Sequence, residues 1–364
     1  MRPAAKPPVI GILGAGGKVG SAVVQQLNGR FPLHLAGRDA KRLAQCRASL
    51  AKAEHAVFAL EDAAALAEFC RGCAVIVNCS GPAAHWAEAV SRAALAAGVH
   101  CVDVGGDEAL LERLRRSHRA VPATVVLAAG QAPGLTGLIP RLLAQLAGTN
   151  AADATLICYC GGREAFTFTS ALEFAISLDS GYGTAGANWR DGARHLHEAA
   201  PHRVTGPQGP AWALPYLPRE LERIAMETPL RALRYYHLVA GERLLDLLNQ
   251  PPAAEVAVLA NQIVAASSAD LCVGTAWQRL HCELLGPKRR WSCRLDAASG
   301  YALTGAVAAY AATRLAQQRA PEPGVFLFDQ WANPAAGWLA LAASGVCTAW
   351  QLDNACHDDR EGQL

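Results

Sequence analysis

A chain of 364 residues with 52% hydrophobic composition is long enough for two domains, each with its own core, and too apolar to be disordered. Its formal net charge of +2 gives no electrostatic case for a nucleic-acid partner, and no apolar run reaches the length of a membrane span. Residues 1–8 are basic but lead into no signal-type apolar segment, so the expected location is the cytoplasm, with no membrane partner.

Val9-Ile10-Gly11-Ile12-Leu13 reads as a buried parallel strand. It runs into Gly14-Ala15-Gly16-Gly17-Lys18-Val19-Gly20 and then into a helical pattern carried by Val19, Val23, Val24 and Leu27. Strand, glycine turn and helix in that order are a dinucleotide-binding signature. A diphosphate needs bare backbone N–H groups at close range, which glycine permits, and the helix N-terminus adds its dipole. Gly14, Gly16, Gly17, Lys18, Val19 and Gly20 are therefore the candidate diphosphate clamp; the competing reading is an ordinary glycine-rich turn. The second strand, Phe31 to Gly37, ends in Gly37-Arg38-Asp39. A site for NAD usually ends this strand with an acid for the ribose 2′-hydroxyl, whereas Arg38 can fork onto a 2′-phosphate, which points to NADP. Asp39 either keeps the acid option open or caps the next helix.

Strands and helices then alternate. We expect a helix over 39–52, a strand over 55–59, and a helix over 61–71 with Asp62 in its first turn. A strand over 74–79 follows, stopped by Ser80-Gly81-Pro82, and then a helix over 86–97. A strand over 99–104 ends in Gly105-Gly106-Asp107, and a charged helix spans 108–119. A strand over 123–129 closes on Gly130-Gln131-Ala132-Pro133-Gly134. This alternation predicts an α/β, Rossmann-type doubly wound parallel sheet. Beyond it the pattern turns β-like at 151–160 and 165–168, glycine-rich at 181–192, and dense in Gly and Pro at 201–218, read as loop or edge strand. Strands over 273–285 and 291–295 flank the turn Gly286-Pro287-Lys288-Arg289-Arg290. These segments predict a second α+β domain on a mixed or antiparallel sheet. An alanine-rich helix covers 301–318 and ends at Ala320 to Pro323, and the polar tail after Cys356 is expected to fray.

The twelve cysteines suggest neither metal nor structural disulfides. Cys79, Cys101 and Cys158 stand in apolar runs, where a thiol behaves as a small hydrophobe. Cys70-Arg71-Gly72-Cys73 has no second pair at zinc-site spacing, and Cys158-Tyr159-Cys160 would place two thiols on one strand face.

The loops taken together resemble those of the saccharopine dehydrogenase-like NADP-binding reductases. The matching pieces are Gly14 to Gly20, Ala36-Gly37-Arg38-Asp39, Asn78-Cys79-Ser80-Gly81-Pro82, Val102 to Asp107, and Pro133-Gly134-Leu135. Tyr301-Ala302-Leu303-Thr304-Gly305 and Pro323-Gly324-Val325 look like the family's return segment. The resemblance is strong across the first third and thin between 160 and 290. It implies a dinucleotide domain over 1–135, a substrate and dimerisation domain over 136–299, and a return helix and tail over 300–364 packed on the first domain. It further implies NADPH as cofactor, with the glycine turn on the pyrophosphate, Arg38 on the 2′-phosphate, and Cys79, Ser80, Gly81 and Pro82 along the ribose and nicotinamide. Within that family the chain is short and its middle lacks an evident amino-acid clamp, a departure from a saccharopine substrate; its length and overall run are most similar to the thiazolinyl imine reductases of pyochelin-type siderophore assembly. That likeness implies NADPH reduction of a thiazoline C=N to a thiazolidine. The substrate would be tethered to the phosphopantetheine arm of a nonribosomal peptide synthetase carrier domain. A homodimer is left open.

Reducing a C=N bond takes a hydride on carbon and a proton on nitrogen, the second from a donor within hydrogen-bond reach. His85, Asp107, Tyr182 and the Tyr236-His237 pair are the candidates. Plainer roles compete: Asp107 as a helix cap, His85 as a helix opener, and Tyr236 and His237 as core or surface strand residues, whereas Tyr182 has the best context, in a glycine-rich stretch of the kind that often forms a mobile cover. Lys288-Arg289-Arg290 either docks an acidic carrier or is a solvated turn. Two rival functions remain: an opine- or saccharopine-type amino-acid dehydrogenase with Arg163, Arg190 and Arg194 as its carboxylate clamp, and an NADP-sensing regulator without turnover.

Overall fold

The run Ile10–Leu13 forms β1, buried along its whole length, and the glycine turn opens α1 (Lys18–Leu27), which buries Gly20, Val23, Val24 and Leu27. The alternation continues as β2 (Leu33–Gly37), α2 (Ala40–Ala48), β3 (Ala53–Val57), α3 (Ala63–Arg71), β4 (Val75–Asn78), α4 (Ala83–Ala96), β5 (His100–Asp103), α5 (Glu108–Ser117) and β6 (Thr124–Leu127). After α6 (Leu135–Ala147) come β7 (Thr155–Arg163), α7 (Phe168–Asp179), β8 (Gly183–Ala185), β9 (Ala187–Arg190), β10 (Ala193–Leu196), β11 (His202–Gly206) and β12 (Gly209–Pro218). Then follow α8 (Arg219–Glu227), β13 (Ala232–Val239), α9 (Glu242–Leu248), α10 (Val256–Cys272), β14 (Trp277–Leu285) and β15 (Arg289–Ala297). The last elements are α11 (Gly300–Gln317), β16 (Gly324–Leu327), α12 (Phe328–Trp331), α13 (Pro334–Ala343) and β17 (Cys347–Cys356). The computed structural model describes residues 7–48, 50, 53–117, 122–151, 153–179, 182–196, 200–250, 255–317 and 322–356. The predicted fraying tail after Cys356 and the stretch 318–321 lie outside the described residues.

Two units divide the chain: 1–135 with 301–344, and 136–300 with 345–364. The first is a seven-stranded parallel sheet in the order β16-β6-β5-β4-β1-β2-β3. Its core packs Leu13, Ile76, Cys101, Val125 and Leu127 against Phe69, Val90, Leu95, Leu111 and Leu114 from the helices. Strands buried on both faces explain why the sequence shows continuous apolar runs here. Helix α11 approaches α1 so closely that a Cβ on Gly305 would lie 2.5 Å from the Cβ of Ala22.

The second unit is a mixed ten-stranded sheet along β10-β9-β13-β7-β14-β15-β17, with β8, β11 and β12 off that path. Strands β7 and β13 pair in parallel; β14 pairs antiparallel with both β7 and β15. Register puts His237, Cys160, Leu280 and Leu295 in one row across the sheet, and Tyr235, Cys158, Cys282 and Cys293 in the next, on the same face. These are the apolar rows, with α7 over them at Phe174. The other face carries Tyr236, Tyr159, His281 and Arg294, and beside them Arg234, Ile157, Glu283 and Ser292.

Three expectations are corrected. The 300–364 segment does not stay together: 301–344 belongs to the first unit, whereas β17 pairs with β15 along nine positions of the second unit's sheet. Residues 165–168 form no strand. Thr167 and Ser170 exchange hydrogen bonds between side-chain hydroxyls and backbone N–H groups, which starts α7 there. The described part of 181–192 is not a glycine-rich loop but the strands β8 and β9 turning at Gly186, whose φ is +68°.

Candidate functional site

The strand order reverses between β1 and β4, the neighbours from which the chain winds outward in both directions. Ligands of open α/β sheets bind outside the carboxyl ends of the strands at such a point. The loops that follow β1 and β4 meet there. Gly14 has φ +72°, and a Cβ on it would lie 3.0 Å from the Cys79 carbonyl and the Ser80 Oγ. A Cβ on Gly20 would stand 2.2 Å from the Gly14 oxygen, so neither position tolerates a side chain without moving backbone. The turn is tied to β2 by the Ala15 N–H on the Ala36 carbonyl at 3.1 Å, and a Cβ on Gly16 would meet the Arg42 Cβ at 2.9 Å. The ends of β1, β2 and β4 thus bring together the candidate residues Gly14 to Gly20, Gly37 to Asp39, and Cys79 to Pro82.

Capping separates the helices around this point into two kinds. Helices α2, α3 and α5 begin at Asp39, Asp62 and Asp107, whose carboxylates accept first-turn N–H bonds at 2.8–3.1 Å. Helices α1 and α4 begin at Gly17 and Pro82, and neither has a side-chain cap. The two uncapped helices follow β1 and β4. No side chain competes for either helix end, so the dipole of each favours an anion there; in α4 the His85 N–H is taken by the Pro82 carbonyl at 3.0 Å. A cradle that side chains would fill and a pair of uncapped helix ends fit a dinucleotide diphosphate.

Asp39 is engaged with the N–H groups of Lys41 and Arg42 and pairs with the Arg42 guanidinium at 3.4 Å, while Arg38 beside it is exposed. The Lys18 ammonium stands 4.8 Å from the centre of the Tyr301 ring at the start of α11. Val19 and Gly37 are half-buried. His85 is exposed in the first turn of α4. Asp107 accepts the Leu110 N–H at 2.8 Å, the helix-cap role left open above. Burial, and then the nearby Asp103 carboxylate, push the Cys79 thiol far up, so it stays neutral.

Two residues absent from the candidates organise these loops. Asn78 donates Nδ2 to Asp103 Oδ2 at 2.6 Å and accepts the Ser80 N–H at 3.0 Å; Asp103 Oδ1 accepts the Gly105 N–H at 2.9 Å. Both side chains are buried. The sequence shows each only as a polar residue closing a short buried strand; their pairing depends on β4 and β5 being neighbours. The loop after β6 is fixed by the Gln131 N–H on Thr304 Oγ1 at 3.2 Å.

Tyr182 and His237 belong to the second unit. The Tyr182 carbonyl accepts the Arg219 N–H at 3.0 Å, at the edge where β8 pairs with β12. His237 is enclosed by Tyr216, Tyr235 and Phe174, at ring-centre distances of 5.3, 5.4 and 6.2 Å. Burial pushes its imidazole below the ordinary value, a carbonyl contact from Cys160 at 3.5 Å opposing, so it is held neutral. Tyr216 escaped the sequence reading; its ring lies over Gly183, where a Cβ would come within 2.5 Å of it. Burial raises its phenol. Tyr236 faces the other way and stacks on Tyr159 at 5.1 Å.

A glycine cradle at the switch point of a doubly wound sheet is a dinucleotide-binding arrangement of the kind that NAD(P)-dependent oxidoreductases use. Residues 10–128 match the family model described as the saccharopine dehydrogenase NADP binding domain. This segment belongs to the saccharopine dehydrogenase-like NADP-binding family, and the cofactor is NADP(H). Over 96% of its length and 100% of the other chain, the protein is similar to saccharopine dehydrogenase (L-Glu forming) from Saccharomyces cerevisiae, at 12% identity and a TM-score of 0.71. A probable dehydrogenase from Thermotoga maritima is similar over 92% of this chain and 94% of its own, at 11% identity and a TM-score of 0.50. These two likenesses show the fold. No curated protein matches the sequence. Among the described residues, no helix is long and apolar enough to cross a membrane.

Proposed function

We propose that the chain reduces a C=N bond with NADPH, taking a thiazoline to a thiazolidine on a substrate tethered to the phosphopantetheine arm of a carrier domain. Bound NADPH supplies the hydride; the chain's own residues bind, orient and protonate. Gly14, Gly16, Lys18, Val19 and Gly20 present backbone to the diphosphate, and Gly17 shapes the turn by closing its N–H on the Gly14 carbonyl at 2.9 Å. Arg38 takes the 2′-phosphate, since the Asp39 carboxylate is engaged in capping. Gly37 lines the adenine end, and Cys79, Ser80, Gly81 and Pro82 line the ribose and nicotinamide, where the neutral thiol adds no charge.

One observation carries the choice of substrate: the arginines that an amino-acid dehydrogenase would use as a carboxylate clamp are not assembled. Arg163 donates Nε and Nη2 to the Ala240 carbonyl, packed where a Cβ on Gly274 would overlap it. Arg194 is paired with Glu222 through bonds of 2.7–3.1 Å. Arg190 lies on the opposite sheet face from Arg194, by the register of β9 with β10. The amino-acid-linked reading keeps the family match and the fold in its favour.

For the proton, the hydroxyls of Tyr182 and Tyr216 are the fitting donors, and His237, held neutral, orients rather than ionises. Asp107 serves its helix, and His85 is the remaining donor in the first unit. The exposed turn at Lys288 and Arg289 docks the acidic carrier; Arg290 is already paired with Glu283.

The test follows NADPH consumption with a small-molecule thiazoline thioester and with a 2-keto acid plus an amine, and NADPH formation with saccharopine plus NADP+. Turnover on the thiazoline alone is expected. Turnover on saccharopine or the keto-acid mixture instead overturns the reading in favour of the amino-acid dehydrogenase, and tight NADPH binding with no turnover favours the sensor. Tyr182→Phe and Tyr216→Phe then separate the donors: the true one loses turnover at unchanged NADPH affinity.

A further inference from the structure

Helix α1 opens with its charge reversed. Lys18 is its first residue, its first turn holds no acid, and Gly17 gives it no side-chain cap. Helices α2, α3 and α5 of the same unit begin on Asp39, Asp62 and Asp107. A cation at a helix N-terminus opposes the dipole, so Lys18 is misplaced for an isolated helix and well placed beside a bound anion. Its side chain is exposed and has no carboxylate partner among the described residues. What it meets instead is the Tyr301 ring, whose centre lies 4.8 Å from Nζ.

This contact is built into the packing of two helices. Tyr301 and Gly305 stand one turn apart on α11, and Lys18 and Ala22 one turn apart on α1. A Cβ on Gly305 would lie 2.5 Å from the Ala22 Cβ, so the bare glycine lets the helices close, and the Tyr301–Lys18 pair follows one turn away. Leu303 is buried and Thr304 Oγ1 accepts the Gln131 N–H at 3.2 Å, which fixes the turn that carries the ring. A carboxylate in the ring's place would neutralise the ammonium and compete with a ligand anion. An aromatic face holds the cation in position and leaves its charge and its N–H donors to act.

We infer that the Lys18 ammonium binds the cofactor's diphosphate and that Tyr301 is the positioning residue that holds it there. The return helix α11 is thereby part of the cofactor site. A free lysine loses rotamer entropy when it engages a ligand; a lysine already held by a ring has lost it on folding. The inference rests on the diphosphate seat at the glycine turn and not on the imine-reduction reading.

Calorimetry on the full chain with NADP+ and with NAD+ tests it. Lys18→Met should weaken both roughly tenfold to a hundredfold, the worth of a hydrogen bond to a charged group, and flatten the fall of affinity with added salt. Tyr301→Leu should weaken both about twofold to tenfold, the ordering cost of one long side chain, whereas Tyr301→Phe, which keeps the ring, should bind as the parent does. In the Lys18→Met background Tyr301→Leu should change nothing further. An equal loss in that background shows that the tyrosine only packs α11, and overturns its role. Loss of NADP+ affinity alone in Lys18→Met puts the ammonium on the 2′-phosphate and overturns the assignment. Unchanged affinity for both in Lys18→Met overturns the inference outright. If Gly20→Ala still weakens binding, the seat stands without the lysine; if Gly20→Ala is also without effect, the seat fails with it.

Discussion

The two units place functional chemistry by different means. In the first, the candidate residues are consecutive: a turn after β1, another after β2, a third after β4, each reading directly into its helix. Backbone N–H groups carry the chemistry, so local sequence suffices. In the second, side chains meet through long-range pairing. His237 reaches the Cys160 carbonyl across 77 positions, and Tyr216 covers Gly183 from another strand. A change in the first unit should therefore act on the cofactor as a whole, and a change in the second on selected contacts.

The largest effect should come from Gly20→Ala. Its Cβ would stand 2.2 Å from the Gly14 oxygen, and backbone must move. We expect NADPH affinity to fall on the order of a hundredfold, the loss of several charge-assisted hydrogen bonds, measured by calorimetry. Circular dichroism should show the fold retained. Unchanged affinity would mean that the turn does not seat the diphosphate. Next, Asp103→Ala strands the buried Asn78 amide and the Gly105 N–H, and should cost about 3 kcal/mol of stability in denaturant unfolding. A loss below about 0.5 kcal/mol would show the strand ends are held by other means.

This contrast also accounts for what the sequence disclosed. The parallel sheet was legible because most of its strands are short apolar runs, as β1, β4 and β6 are, and some of its helices show both stripe and cap, as α3 does at Asp62. The glycine turn was legible because steric need fixes residue type. Asn78 and Asp103 went unread since a polar strand end has meaning only once the neighbouring strand is known. In the mixed sheet the β character of 151–160 and the hairpin β14–β15 were legible, but pairing could be read only at the hairpin, where it is local. Strand β17 was unreadable as a partner of β15 because the intervening α11 to α13 belong to the other unit. Tyr216, between Pro215 and Pro218, fell in a stretch read as loop or edge strand; it is strand, and Pro218 pairs at a sheet end where a missing N–H is tolerated.

Arg38→Ala sharpens the comparison from the cofactor's side. It should raise the Michaelis constant for NADPH roughly tenfold to a hundredfold and leave that for NADH nearly unchanged, since only NADPH carries the 2′-phosphate. Equal changes for both would remove Arg38 from the phosphate and return the choice of nucleotide to other residues.

The smallest effect separates the units by pH. Burial lowers the imidazole of His237 in the second unit, and of His34 and His100 in the first, below the ordinary 6.5. Near pH 6 each binds fewer protons folded than unfolded, so stability rises with pH through that range and falls as pH drops below about 6.5. The lowered carboxyls of Glu227 and Glu283 act only below their ordinary 4.5, outside this window. In His237→Gln the second unit should lose part of its acid lability between about pH 7 and pH 5.5, while the first keeps its own through His34 and His100. Amide exchange read separately on β4 to β6 and on β7, β13 and β14 would show the slope flattening in the second group alone. An unchanged slope in that group would mean His237 is protonated as readily in the fold as out of it, and its place among the aromatic rings would no longer hold it neutral beside a tyrosine donor.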